Sequence, residues 1–386
     1  MKKGVIIALI AIMVTAILVF CVFYMDLFGV RSWVVSYLDP APTEAPTEAT
    51  EAPTEPEPTE PETTEPEPTE PEPTEPPFQM EIGSQWSKFL YGREITAGEY
   101  FVYDLDQEKF LTRTGNETER VYPASITKLY SAYVALQYLD PDEKLTVGSE
   151  LWLLDEDASV AYLKYGDELT VEQLIGGMLL PSGNDATMTI AAAVGRKLAG
   201  DPELMEYYAV NRFVEQMNKD REKLGLTGSH FVSADGMHSG SHYISFQDMV
   251  TIGKLALSNE VMAKCMATFQ MEVPLTEKRT LKWENSNMIL DPESRYYSSY
   301  ISGMKTGFTT PAGNCLLSYA QVNGRNYIIG VFECLYPEDR FADTLLLLMR
   351  TLNEPVPAPT AEPAPQPEPQ PETETQPANQ TETQSP

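Results

Sequence analysis

The distribution of proline limits what this chain can fold into. Of 31 prolines, 13 fall in residues 39–78 and 10 in residues 355–386. Both stretches are rich in Glu and hold no Lys or Arg. Proline fixes φ, like charges repel, and few apolar side chains are present, so neither stretch can bury a core. Disordered, polyproline-like tails are therefore expected at 39–78 and 354–386. What can fold is roughly 79–353, enough for one large domain or two small ones. Much of the formal net charge of −30 belongs to the tails. No basic stripe exists to neutralise phosphates, which argues against nucleic acid as a partner.

Lys2 and Lys3 precede an uncharged, apolar run of 22 residues, 4–25. As a helix it would span ~33 Å, enough for a ~30 Å hydrocarbon core. A cleavable signal peptide has a shorter apolar core and a small-residue exit, and no such exit follows. Bulky Phe20 precedes Cys21, where a lipoprotein site needs a small residue. The run is expected to be an uncleaved signal-anchor, with a removed signal peptide as the alternative. The two lysines put residues 1–3 in the cytoplasm as a stub and the rest of a single-pass protein outside. The PTE and PEPTE repeats of the linker 39–78 then form a stiff spacer reaching on the order of 100 Å. No activity is assigned to the C-terminal tail.

Within the folded part, residues 98–112 alternate around a turn and predict a hairpin. A broad apolar face at 3.6 spacing predicts a helix beginning near Ser125. Further helices are expected at 170–180, 186–199, 204–224 and 245–258. Residues 300–310 read as a strand. Residues 315–322 and 326–335 flank Asn323-Gly324, a strong hairpin signal. A last amphipathic helix follows Pro337. Strands at both ends with helices between them suggest an α/β (α+β) domain, an antiparallel sheet with a helical insertion.

Three short motifs stand in order: Ser125-x-x-Lys128, Ser182-Gly183-Asn184 and Lys305-Thr306-Gly307. Each alone is a weak signal. On a helix, i and i+3 share a face, so Lys128 Nζ can reach Ser125 Oγ. Serine needs a base to become a nucleophile, and a lysine serves if burial or a second cation lowers its pKa. Lys305 is a candidate for that cation. Ser182-Gly-Asn precedes a helix, so it can cap that helix, or Ser182 can relay protons while Asn184 donates to a substrate amide. Asp185 is expected to be structural. Lys305 reads either as an edge-strand guard or, with Thr306, as the holder of a substrate carboxylate on a strand that pairs with an extended peptide. Gly307 would allow close approach, and the backbone N–H groups of Ser125 and Phe308 suit an oxyanion hole.

The triple is the signature of active-site serine penicillin-recognising enzymes. YPASITKLYSAYVAL, GGMLLPSGNDA and GMKTGFTTPAGNCLL resemble the three blocks of the low-molecular-mass penicillin-binding D-alanyl-D-alanine carboxypeptidases, the S11 serine peptidases. The resemblance runs from about residue 98 to about 350. It implies a β-lactamase/transpeptidase-like fold, an antiparallel sheet packed between helices with a mainly helical subdomain. It implies removal of the terminal D-alanine from peptidoglycan stem peptides through an acyl-enzyme, with β-lactams as covalent inhibitors and no cofactor or metal. Carried over by residue, Ser125 is the nucleophile, Lys128 its base, Ser182 and Asn184 line the site, and Lys305 and Thr306 bind the carboxylate. Two departures stand out. The second C-terminal β domain and amphipathic membrane helix of many members are not expected, and the N-terminal helix is expected to hold the chain at the membrane instead. Asp235-Gly236-Met237 stands where some members show His-Gly-Leu.

The rivals are weaker. No G-x-S-x-G elbow accompanies His230, His238 and His242, which are expected to be surface or hydrogen-bonding residues. His238-x-x-x-His242 lacks both helix and glutamate for a zinc site. A class A β-lactamase would need a deacylating glutamate, and no E-x-x-L-N segment is present. A D,D-endopeptidase of the same superfamily and a catalytically silent wall-binding module complete the alternatives. Counting outward from Asn323-Gly324 sets Cys315 opposite residue 332, two away from Cys334, so a disulfide between them is possible but not favoured.

Overall fold

The computed structural model describes Leu90 and residues 92–352. The stub 1–3, the anchor 4–25, the linker 39–78 and the tail 354–386 lie outside those residues. Among the described residues no helix is long and apolar enough to cross a membrane.

The hairpin expected over 98–112 is β1 (Glu99–Asp104) with β2 (Lys109–Arg113). A two-residue strand β3 (Arg120–Val121) leads to a 3-10 turn, Ala124–Ile126, that runs into α1 (Thr127–Ala135). Then come β4 (Lys144–Thr146), a 3-10 turn at Ser149–Leu153, β5 (Glu168–Thr170), α2 (Val171–Leu179), α3 (Asn184–Ala199) and α4 (Glu206–Lys223). Next are β6 (Ile244–Ser245), α5 (Phe246–Ser258), α6 (Glu260–Ala267), β7 (Gln270–Thr276) and β8 (Arg279–Glu284). The chain closes with β9 (Ile301–Thr309), β10 (Gly313–Val322), β11 (Arg325–Cys334) and α7 (Asp339–Thr351).

Local chemistry sets several of these starts. Thr170 and Gln173 form a reciprocal capping box on α2, and Ser245 and Asn259 cap α5 and α6 with their side chains. Asn323 and Gly324 both take positive φ, the pair that a two-residue hairpin demands.

The main sheet has the order β2-β1-β11-β10-β9, with every neighbouring pair antiparallel. Its central strands are buried on both faces, with period two. Tyr327, Ile329 and Val331 face one core with Leu345, Leu346 and Leu348 of α7. Ile328 and Phe332 face the other, with Leu129 of α1 and Phe246 of α5. The near-continuous apolar run of β11 follows from that double burial. Nearly every residue of α1 is buried, which accounts for its broad apolar face. Helices α1 to α4 pack among themselves as the helical part, with β9 passing the turn that starts α1.

Several elements depart from expectation. α6 and the β7–β8 hairpin carry no strong local signal, because charged residues and Pro274 interrupt them and only Val273, Leu281 and Trp283 alternate inward. The register of β10 with β11 also differs. Pairing runs from Val322↔Arg325 to Leu316↔Val331, but a bulge then sets Asn314 opposite Cys334. One extra residue on β11, where Phe332 and Glu333 together oppose Cys315, breaks the outward count, which assumed an unbroken ladder. Cys315 and Cys334 are both buried free thiols.

Candidate active site

Ser125 occupies the middle of the 3-10 turn ahead of α1. Ala124 before it takes φ +47°, a left-handed conformation costing roughly 1–2 kcal/mol for a residue with a Cβ. Two glycines let other strands of chain close on this turn. A Cβ on Gly236 would stand 1.8 Å from Ala124 O, and one on Gly307 would stand 2.8 Å from Pro123 O and 3.2 Å from Ser125 N. The backbone of β9 therefore runs directly beside the Ser125 N–H.

Lys128, one turn further along, is fully buried. Its Nζ donates to Ser125 Oγ at 2.7 Å and to Asp235 O at 2.9 Å. Burial pulls its pKa down to about 8, against the opposing pull of the Asp235 and Asp185 carboxylates. The expected second cation is thus not the main cause. Lys305 is only 1% exposed, and its Nζ donates to Thr306 O at 3.1 Å. Burial first, then repulsion by Lys128 and by Arg340, holds its pKa well below the usual lysine value.

Ser182 takes φ +64°, and Ser159 Oγ donates to its carbonyl at 2.8 Å. The N-cap of α3 is Gly183, with no side-chain capping bond, so the capping reading of this motif does not hold. Asn184 is buried with its Oδ1 unpartnered. Asp185 is structural: its carboxylate accepts from Ala161 N and Leu163 N at 2.8 and 2.9 Å and ties loop 154–166 to α3.

Ser125, Ser182, Asn184, Thr306, Gly307 and Phe308 line one cavity of about 590 Å³, with Lys128 and Lys305 buried in its wall. All three motifs meet there. Thr306 Oγ1 shares a hydrogen bond with Ser286 Oγ at 2.5 Å, and Phe308 projects at the rim, 59% exposed. The cavity also takes residues that sequence reasoning missed. Asp157, Ala158 and Ser159 form part of its mouth. Arg340 arrives from α7, its Nη1 donating to Gly307 O at 3.2 Å while its Nε is buried without a partner among the described residues. Nothing local marks Arg340, since it joins the site only because α7 packs on the sheet.

Of the three histidines, only His238 lines the cavity. Val232 N donates to His242 Nδ1 at 3.2 Å, which leaves His242 Nε2–H to donate to Thr127 Oγ1 at 2.8 Å. Burial keeps this ring neutral, its pKa pulled down to about 4. His238 packs edge-on against Tyr122, and His230 Nδ1 lies 2.6 Å from Ser241 O. Among the described residues no cluster of His, Cys, Asp or Glu could hold a metal ion.

Residues 86–334 match the D-alanyl-D-alanine carboxypeptidase family. D-alanyl-D-alanine carboxypeptidase DacD of Escherichia coli is 30% identical over 247 residues, 62% of this chain and 58% of that protein. The chain thus spans little more than half the length of that relative. The DD-transpeptidase of Streptomyces K15 superposes with a TM-score of 0.60 at 27% identity, over 68% of this chain and 98% of its own. Penicillin-Binding Protein D2 from Listeria monocytogenes, in its cefotaxime-bound form, gives 0.54 at 26%, over 68% and 99%. The antiparallel sheet between helices is the architecture these structures share with the chain.

Proposed function

The chain belongs to the D-alanyl-D-alanine carboxypeptidase family (peptidase family S11), and from that premise we propose that it is a serine-type D-Ala-D-Ala carboxypeptidase that trims peptidoglycan stem peptides. The observation that carries this reading is the 2.7 Å contact between Lys128 Nζ and Ser125 Oγ inside a cleft walled by two further cations. A pKa of about 8 leaves part of Lys128 neutral near neutral pH, able to take the Ser125 proton. Ser125 Oγ then attacks the carbonyl carbon of the penultimate D-alanine. The backbone N–H groups of Ser125 and Phe308 receive the oxyanion. Asn184 Oδ1 is free to accept from the substrate amide, and Ser182 relays the proton to the departing amine. Water then releases the shortened peptide from Ser125.

The substrate's terminal carboxylate goes to Thr306 and Lys305, with Arg340 as a third group from the far side of the sheet. A buried cation without an anion nearby is costly, and a carboxylate relieves that cost. A β-lactam presents the same carboxylate and a strained amide, so it acylates Ser125 and leaves slowly. In the proposed organisation, residues 4–25 anchor the chain, 39–78 link the anchor to the catalytic domain, and that domain, 79–353, works on the cell-wall side.

Purified protein should release D-alanine from a pentapeptide and be labelled covalently by a fluorescent penicillin. Ser125→Ala should lose both. Rapid penicillin hydrolysis would favour a β-lactamase instead, and labelling that survives Ser125→Ala would end this assignment. No labelling of the native protein would point to a silent wall-binding module.

A further inference from the structure

Beyond the cleft, the 3-10 turn at Ser149–Leu153 and the loop that follows it turn three large rings to solvent. Trp152, Tyr162 and Tyr165 are 79%, 72% and 76% exposed. Single exposed apolar residues are ordinary, whereas several in one segment mark a surface that meets a partner. Tyr162 is displayed at a cost. Its φ of +62° lies where a bulky residue is a genuine outlier.

The surroundings hold that conformation from every side. Ala161 N and Leu163 N are clamped by Asp185 at 2.8 and 2.9 Å, Trp283 Nε1 donates to Ala161 O at 2.8 Å, and Arg279 Nη2 donates to Tyr162 O at 2.8 Å. Strain maintained by so many bonds is characteristic of recognition sites. Arg279 also pairs with Asp167, beyond Tyr165, so both tyrosines are fixed on one frame. That frame is continuous with the cleft. Asp185 follows Asn184 directly, and the same loop lines the cleft mouth at Asp157, Ala158 and Ser159.

A peptide whose end enters the cleft must leave it with its remainder passing along one wall. Resting on the carboxypeptidase reading, we infer that Tyr162, with Tyr165 and Trp152, binds the sugar strand to which the stem peptide is attached. Aromatic faces are electron-rich and attract the polarised C–H bonds of a pyranose. The exposed charges on the loop are Asp155, Glu156, Asp157 and Lys164. Their negative balance repels an anionic lipid surface and offers acceptors to sugar hydroxyls.

The test compares D-alanine release from a free pentapeptide with release from the same peptide on its glycan strand. The triple variant Trp152→Ala, Tyr162→Asn, Tyr165→Ala is the probe, because asparagine tolerates the φ of residue 162. It should keep the free-peptide kcat/KM within about twofold and lose at least about tenfold on the glycan-linked substrate, each stacked ring contributing roughly two- to tenfold. Equal losses on both substrates, or none on either, would overturn the inference. Co-sedimentation with peptide-stripped glycan provides an arm that needs no catalysis: the native protein should bind and the triple variant should not. Glycan binding without D-alanine release would sink the carboxypeptidase reading alone. Normal turnover without ring-dependent glycan binding would sink this one alone, as would an effect of the variant confined to self-association.

Discussion

The two walls of the cleft each bury a lysine, and the two lysines keep different company. Lys128 on the helical wall touches Ser125 Oγ and Asp235 O, with two carboxylates near enough to support its charge. Among the described residues, Lys305 on the strand wall has only the Thr306 carbonyl as a hydrogen-bond partner, and its charged neighbours are Lys128 and Arg340. Both lose proton affinity through burial. Carboxylates limit that loss at Lys128, whereas cations deepen it at Lys305. On the proposed function, the difference lets one residue type serve two purposes: Lys128 would trade a proton with a hydroxyl, and Lys305 would receive an anion.

The largest expected effect lies on the helical wall. Lys128→Ala should slow acylation by a fluorescent penicillin by about 10²- to 10⁴-fold, the usual weight of a general base. Lys128→Arg should fare no better, because a guanidinium does not deprotonate. If Lys305→Ala slowed acylation by a neutral acyl donor as much, the division of labour would be wrong.

The pH profile sharpens the same contrast. Lys128 must be neutral to act, and its pKa is about 8. Acylation should therefore rise with pH and level off above about 8, falling about tenfold for each unit below it. A flat profile between pH 6 and 8 would remove Lys128 as the proton acceptor.

On the strand wall the effect should be selective. Lys305→Ala should cost about 10- to 100-fold on peptides ending in a free carboxylate, the weight of a hydrogen bond to a charged group, and much less on amidated ones. Equal loss would remove its anion-binding role. Arg340→Ala should show the same preference more weakly, since Arg340 already donates to Gly307 O.

The smallest effect tests the frame and not the chemistry. Thr170→Ala removes half the capping box of α2 and should lower unfolding stability by about 1 kcal/mol in a denaturant titration. The acylation rate at saturating penicillin should stay unchanged. A large rate change would mean that α2 positions the Ser182 loop directly.

Much of this was legible in the chain. The helix starts at 171 and 246 carry their caps in the sequence, and the hairpin at Asn323-Gly324 is announced by two residues that accept positive φ. Ser125 and Lys128 were readable as a pair because i and i+3 share a helical face. The bulge on β11 at Phe332–Glu333 was not legible, because an unbroken ladder and a bulged one share the same alternation over most of their length. Arg340, Ser286 and the loop at 157–159 carried no signal either, since each reaches the cleft from a distant element.

The sequence by itself determined the local matters: which segments coil or extend, and which residue types stand ready for chemistry. These depend on φ preferences, capping groups and apolar spacing within a few residues. Only the tertiary structure decided how strongly each lysine holds its proton and what stands beside it. Proton affinity follows from exclusion of water and from charges brought in across the fold, and those are set when α3, β9, α7 and the segment at Asp235 pack around the turn at Ser125.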